Sequence, residues 1–207
     1  MTVELYHGDG TRSLRVRWVL EELGIAYTLH RLPFPPRLKQ PEYLSINPLG
    51  SLPFLIDGEV QLSESMAMCE YLVARHGPSP LTVGPDDFGF AAYRQFCWFG
   101  EATLMPPVGT LVRYLMMTAA ADRPAGVVEA ARDSFAQRLK AVSRGLEDRE
   151  YLVADRLTLA DVSVGYVLGL AALLGESDDF PAAITAYLAR LRGRDAYRRA
   201  AEREGQR

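Results

Sequence analysis

Cysteine and histidine are scarce in this chain. Its two cysteines, Cys69 and Cys97, stand apart among apolar neighbours, and neither belongs to a CxxC pair. That spacing argues against a dithiol redox centre, and both thiols read as small buried hydrophobes of a reducing compartment. The three histidines, His7, His30 and His76, show no metal-ligand spacing, so no metal is expected. An excess of positive charge is missing too. With 23 basic and 26 acidic side chains the net charge is -3, which leaves no field to draw nucleic acid or anionic lipid. No apolar run approaches the roughly 18 to 20 residues of a membrane span. Met1 leads straight into a strand-like VELYH, without the charged start and apolar core of a leader. These absences point to a soluble, cytoplasmic protein with neither membrane nor nucleic-acid partners.

What is present is concentrated between Asn47 and Ser65, in NPLGSLPFLIDGEVQLSES. Pro48, Leu49 and Gly50 read as a turn. Pro53–Ile56 and Val60–Leu62 are apolar runs separated by Asp57, Gly58 and Glu59, a hairpin signal. Proline lacks the N–H that a sheet ladder uses, so Pro53 suits only the first position of its strand. The backbone of Leu52, just before it, is then left to pair with an extended peptide. Ser63 is placed as an N-cap, and Glu64, Ser65 and Met66 open a helix whose free amides and positive dipole end favour a carboxylate.

Around this stretch the chain reads in order. Val3–Tyr6 is a strand, GDGTRS a turn, and the apolar residues from Leu14 to Leu23 fill much of one helix ended by Gly24. Tyr27–Leu32 is a second strand, parallel to the first because a crossover helix joins them. A proline-rich link precedes the hairpin, and a helix from Glu64 to about Arg75 completes an α/β unit over residues 1–78. Residues 79–86 read as a linker, and 87–207 as an all-helical domain. In it, a long segment to about Ala121 is bent at Pro106 and Pro107, which lack two backbone donors. A second helix starts with Pro124 at N1. Thr158 and Asp161 have capping-box spacing, with Leu157 and Val162 placed for a hydrophobic staple. The helix that follows, Leu159–Leu174, is apolar nearly all round and belongs in the middle of its domain. Two amphipathic helices, Pro181–Arg192 and Asp195–Glu204, precede a charged tail.

Four motifs in this order carry a resemblance: ELYHGDGTRSLR running into VRWVLEELGI, INPLGSLPFLIDG, LSESMAMCEYL and LTLADVSVGYVL. Together they cover nearly the whole chain, which resembles the cytosolic glutathione S-transferase family, of the type with a Ser/Thr turn and no cysteine there. The resemblance implies a thioredoxin-like N-terminal domain, an all-α C-terminal domain, a homodimer, and glutathione as co-substrate with no metal. It implies that the Leu52–Pro53 bond is cis and that the Leu52 backbone pairs with the cysteinyl part of glutathione. Ser65 and its amide would hold the γ-glutamyl carboxylate, with Glu64 near the ammonium group. At Ser51 related sequences often carry lysine for the glycyl carboxylate. Lys39 or Arg37 is the candidate source of that charge here.

The chemistry implied is attack of the glutathione thiolate on a hydrophobic electrophile. A free thiol has a pKa near roughly 8.5, and holding it ionised at neutral pH needs about one to two units of depression, which a hydroxyl donor and helix-start amides can supply. Thr11 is the first candidate for that hydroxyl, Ser13 the alternate and Tyr6 the third. Tyr6 is also placed to belong to the core face of its strand, and His7 and Arg12 are read as surface neighbours of the turn. Phe99, Met105 and Tyr114 are candidates for the electrophile pocket by location, along with Leu104, Pro106 and Met117. The alternatives are a glutathione-dependent isomerase or dehalogenase, and a non-catalytic binding or regulatory protein of the same fold.

Overall fold

The computed structural model describes residues 2–202. The continuation of the last helix to Glu204 and the charged tail lie outside them. The described residues divide into two compact units: 2–79 with 193–202, and Pro80–Arg192.

The first unit runs β1 (Val3–His7), α1 (Ser13–Leu23), β2 (Tyr27–Arg31), α2 (Pro36–Lys39), a 3-10 turn at Pro41–Ser45, β3 (Phe54–Asp57), β4 (Val60–Leu62) and α3 (Ser65–His76). The sheet order is β2-β1-β3-β4, with β1 parallel to β2 and antiparallel to β3. As expected, β3 and β4 form a hairpin. Asp57 pairs with Val60 across a two-residue loop, and Gly58 takes its positive φ of 63°. Gly24 ends α1 in the left-handed conformation. The central strand β1 is covered on both faces. Val3 and Leu5 are buried on one side, and Val16 and Val19 of α1 and Met68, Cys69 and Leu72 of α3 are buried as well. Tyr6 enters a cluster with Tyr43, Leu52 and Phe54 on the other. Met68 and Cys69 therefore pack inside this unit.

The second unit holds α4 (Phe90–Trp98), α5 (Met105–Leu111), α6 (Ala125–Gly145), α7 (Leu159–Leu173) and α8 (Ala182–Arg192). The long segment expected around the prolines is broken into pieces. A π-helical turn, Phe99–Leu104, comes just before Pro106 and Pro107, and a second, Val112–Met116, follows α5. Two prolines that cannot donate leave carbonyls near 102 and 103 without their usual partners, which fits the irregular winding of Phe99–Leu104. Pro124 takes the N-cap of α6, one position earlier than the spacing predicts.

The capping box at the start of α7 is present as read from the sequence. Asp161 Oδ2 accepts from the Thr158 amide at 2.7 Å and hydroxyl at 2.9 Å, and Oδ1 from the Leu152 amide and the Tyr187 hydroxyl, both at 2.9 Å. Helix α7 is buried along most of its length, as its apolar composition requires. Its approach to the π-helical turn Phe99–Leu104 leaves no room at Gly100. A Cβ there would lie 2.2 Å from Ser163 Oγ, and that hydroxyl donates to the Cys97 carbonyl at 2.8 Å.

The last described helix, α9 (Asp195–Ala201), belongs to the first unit and packs on α1. Trp18 meets Tyr197 edge-on at 4.9 Å, and Arg199 Nε bonds Glu21 at 2.7 Å. Arg17 donates to the carbonyls of Arg199 and Glu202 at 3.2 and 3.3 Å, so its guanidinium covers acceptors that the helix end leaves open.

Candidate functional site

The turn after β1 folds its hydroxyls inward. Thr11 Oγ1 lies 2.7 Å from the Gly8 carbonyl and 2.6 Å from Ser13 Oγ, and Ser13 Oγ lies 2.7 Å from His7 Nδ1. The Gly8 amide donates to Ser13 Oγ at 3.3 Å. On the far side of the ring, His7 Nε2 is 3.1 Å from Asp9 Oδ1, which also receives Arg31 Nη1 at 2.8 Å. The expectation that His7 is a surface residue is wrong. It is 3 % exposed, because strand alternation turns it with Val3 and Leu5 toward the core. Burial, and then the charge of Arg17, push its pKa down to about 4 despite the bond to Asp9. The imidazole is therefore neutral at physiological pH. Ser13 is fully buried, whereas Thr11 retains 9 % exposure.

Tyr6 faces away from this network. Its ring stacks on His30 at 4.5 Å and packs against Tyr43 and Phe54. Burial and the nearby Glu4 raise the pKa of its hydroxyl.

Leu52 adjoins the turn. The Leu52–Pro53 bond is cis. A Cβ on Gly8 would lie 2.8 Å from Leu52 Cδ1 and 3.3 Å from Thr11 Cγ2, so the turn packs directly against the Leu52 side chain, which a larger residue at Gly8 would displace. The carbonyl of Ser51 is held by the Tyr43 hydroxyl at 2.9 Å and by Asn47 Nδ2 at 3.0 Å, while the Ser51 side chain is on the surface. Gly50, with φ of 57°, packs against the stem of Arg37, whose Cβ would lie 2.8 Å from a Cβ at Gly50. Arg37 thus borders Ser51's turn, and Lys39 lies exposed at the end of α2.

Helix α3 does not start as its sequence suggests. Its N-cap is Glu64 and not Ser63, and no side chain caps it. Glu64 sits at φ 71° and ψ 106°, a conformation that costs a non-glycine residue about 1 to 3 kcal/mol. Ser65 is the first helical residue, and its amide is among those with no partner inside the helix. Its buried hydroxyl accepts from Arg15 Nη1 at 3.3 Å. Arg15 is itself completely buried on α1. A whole positive charge thus stands beside a helix start that already favours anions. Arg15 is the second residue, after His7, that reading the sequence missed. Its signal was weak, since the RSLRVR run reads equally well as the solvated side of a helix.

The apolar candidates on the helical unit separate by burial. Leu104 and Met105 are core residues. Phe99 is half-buried and edge-on to Phe96 at 5.9 Å, and Tyr114 is half-buried against Leu111, Val128 and Ala131. Pro106 and Met117 are exposed. Among the described residues no helix is long and apolar enough to cross a membrane, and no cluster of His, Cys, Asp or Glu could hold a metal.

A mixed four-stranded sheet flanked by helices, with a cis proline opening β3 and an all-helical second unit, defines a thioredoxin-like domain followed by a helical one. Residues 1–74 match the glutathione S-transferase N-terminal domain, and 104–195 the glutathione S-transferase C-terminal domain. The chain belongs to the glutathione S-transferase family. It is 31% identical over 152 residues to the Oryza sativa subsp. japonica protein named "Probable glutathione S-transferase GSTF2", covering 70% of this chain and 69% of that one. Glutathione S-transferase 3 of Schizosaccharomyces pombe matches at 35% over 104 residues, half of this chain and 43% of that protein. Among solved structures, the glutathione transferase URE2P6 of Phanerochaete chrysosporium, in complex with oxidized glutathione, is 26% identical. It superposes with a TM-score of 0.81 over 96% of this chain and 94% of that one.

Proposed function

We propose that this protein is a glutathione transferase that conjugates the glutathione thiolate to hydrophobic electrophiles. Two contacts within the first unit support the reading: Gly8 packs the Thr11 turn against Leu52, and Arg15 of α1 reaches Ser65 at the start of α3. In this reading the Leu52 backbone, ahead of Pro53, pairs with the cysteinyl segment. Ser65, the first amides of α3 and the charge of Arg15 hold the γ-glutamyl carboxylate, with Glu64 toward the ammonium group. Ser51, with Arg37 or Lys39, takes the glycyl carboxylate. Thr11, the more exposed of the two turn hydroxyls, donates to the sulfur. Stabilising the thiolate in this way lowers the barrier electrostatically. For the electrophile, the half-buried Phe99 and Tyr114 are retained, and the core residue Met105 is not. A homodimer belongs to the same reading, and a sedimentation coefficient of a monomer at micromolar concentrations would refute it.

Calorimetric titration with glutathione near pH 6 and pH 8, with the ultraviolet absorbance of the thiolate followed in parallel, tests the proposal. Binding with a lowered thiol pKa is the expected outcome. Ser65→Ala should weaken binding by about 1.5 to 3 kcal/mol, the worth of a hydrogen bond to a charged group, or roughly ten- to hundredfold. An unchanged dissociation constant would remove the anion site. Absence of binding at millimolar glutathione would point instead to a non-catalytic partner protein.

A further inference from the structure

The turn contains more hydrogen-bond acceptors than hydroxyl protons, and His7 decides how those protons are shared. Asp9 Oδ1 is in an ion pair with Arg31, and a carboxylate only accepts, so the 3.1 Å contact places a proton on His7 Nε2. A neutral imidazole protonated there has a bare Nδ1. Ser13 Oγ, 2.7 Å away, then gives its single proton to Nδ1 and receives the Gly8 amide. Thr11 Oγ1, 2.6 Å further out, is left to direct its own proton to Ser13 or to the Gly8 carbonyl. The order runs inward, Thr11 to Ser13 to His7, which is the wrong direction for holding an anion at Thr11.

We propose that His7, locked in one tautomer by Asp9, is a positioning residue that couples its own protonation to thiolate binding at Thr11 through the Ser13 hydroxyl. This rests on the glutathione reading above. With a second proton, on Nδ1, His7 donates to Ser13 where it formerly accepted. Ser13 then turns its proton to Thr11 Oγ1, and Thr11 turns its own out to the sulfur. The thiol's own proton passes to solvent, and the two hydroxyls change only the direction in which they donate. The groups facing His7 act in both directions. Arg17 from α1 and Arg31 from β2 oppose the second proton, as burial does, while Asp9 favours it. A thiolate at the outer end of the chain adds a second negative charge on the favourable side. By reciprocity, a protonated His7 lowers the thiol pKa.

Nitrogen NMR of the His7 ring tests the chain in two stages. In the free protein at neutral pH, Nε2 is expected to carry the proton and Nδ1 to be bare. A ring protonated on Nδ1 overturns the proposal. Asp9→Asn, a substitution at a largely exposed position, offers Nε2 an amide donor and should yield a mixture of tautomers. The titration midpoint of His7 is then compared in saturating glutathione sulfonate, whose sulfur group is anionic throughout the titration, and in saturating S-methylglutathione, whose sulfur is neutral. The sulfonate should raise the midpoint by about one pH unit or more, the effect of a nearby opposite charge, and the methylated peptide should not. Equal midpoints in two complexes that both form overturn the coupling alone. Failure of either peptide to perturb any resonance overturns the functional reading, and the coupling with it.

Discussion

Two buried polar clusters, one in each unit, handle the same chemistry in opposite ways. At the start of α7, Asp161 collects four donors, two from Thr158 and one each from Leu152 and Tyr187. Its site is saturated and has no room for a ligand. At the turn after β1, the hydroxyls of Thr11 and Ser13 share one histidine nitrogen and one backbone carbonyl, and their protons can be redistributed without breaking the fold. A saturated cluster makes one conformation unique. A cluster with interchangeable proton positions can respond to an incoming charge. The strained Glu64 lies in the same unit as the second cluster, in keeping with the tendency of strain to gather at functional sites.

The comparison breaks most easily at Asp161. Asp161→Ala leaves the Tyr187 hydroxyl and two amides buried without acceptors, and about 4 kcal/mol of stability should be lost in urea titration. A loss under 1 kcal/mol would show that the cluster is not the closed unit described.

Acid separates the two clusters next. His7 has a folded pKa of about 4 against 6.5 when exposed. The unfolded chain therefore binds its proton first as pH falls. The stability that His7 contributes is present above about pH 6.5 and is lost as the pH falls through about 4, amounting to about 3 kcal/mol. Asp161 works in the other direction. Burial raises its carboxyl pKa, so its contribution is most favourable at low pH and falls away as pH rises through the folded value. Urea titrations of the wild type and His7→Gln between pH 7 and pH 4 should converge as the pH drops. Parallel curves would mean that His7 titrates normally.

The smallest expected effect on stability is at Thr11. Thr11→Ala should cost about 1 kcal/mol or less, since the Gly8 carbonyl keeps Ser13 within reach at 3.2 Å. Turnover should fall more than glutathione affinity, because the lost donor acts on the thiolate. If Ser13→Ala abolishes turnover while Thr11→Ala is silent, the donor is Ser13 and the assignment of inner and outer hydroxyl is reversed.

Much of this was legible from local pattern. The parallel β1–β2 crossover, the Asp57–Val60 hairpin, the Gly24 stop and the Thr158–Asp161 capping box each depend on residues within one element or across one turn. The start of α3 was misread because Ser63 is a good N-cap by type, whereas the chain leaves β4 in a direction that puts Glu64 at the cap with positive φ. Pro106 and Pro107 imply a bend by the donors they lack, but the number of π-helical turns, Phe99–Leu104 and Val112–Met116, does not follow from the two prolines' positions.

Composition and spacing alone determined the strands of the sheet with their crossover and hairpin, and the division into an α/β part followed by a helical one. Those properties follow from periodicity, turn chemistry and the donors that proline removes. Tertiary structure alone decided that α9 packs on α1, that Arg15 stands beside Ser65, and that His7 is buried between Asp9 and Ser13. Each of these sets a charged or titratable group against residues distant in the chain or on the far side of a turn. Its burial, and so its protonation and reach, depends on neighbours that no local pattern names.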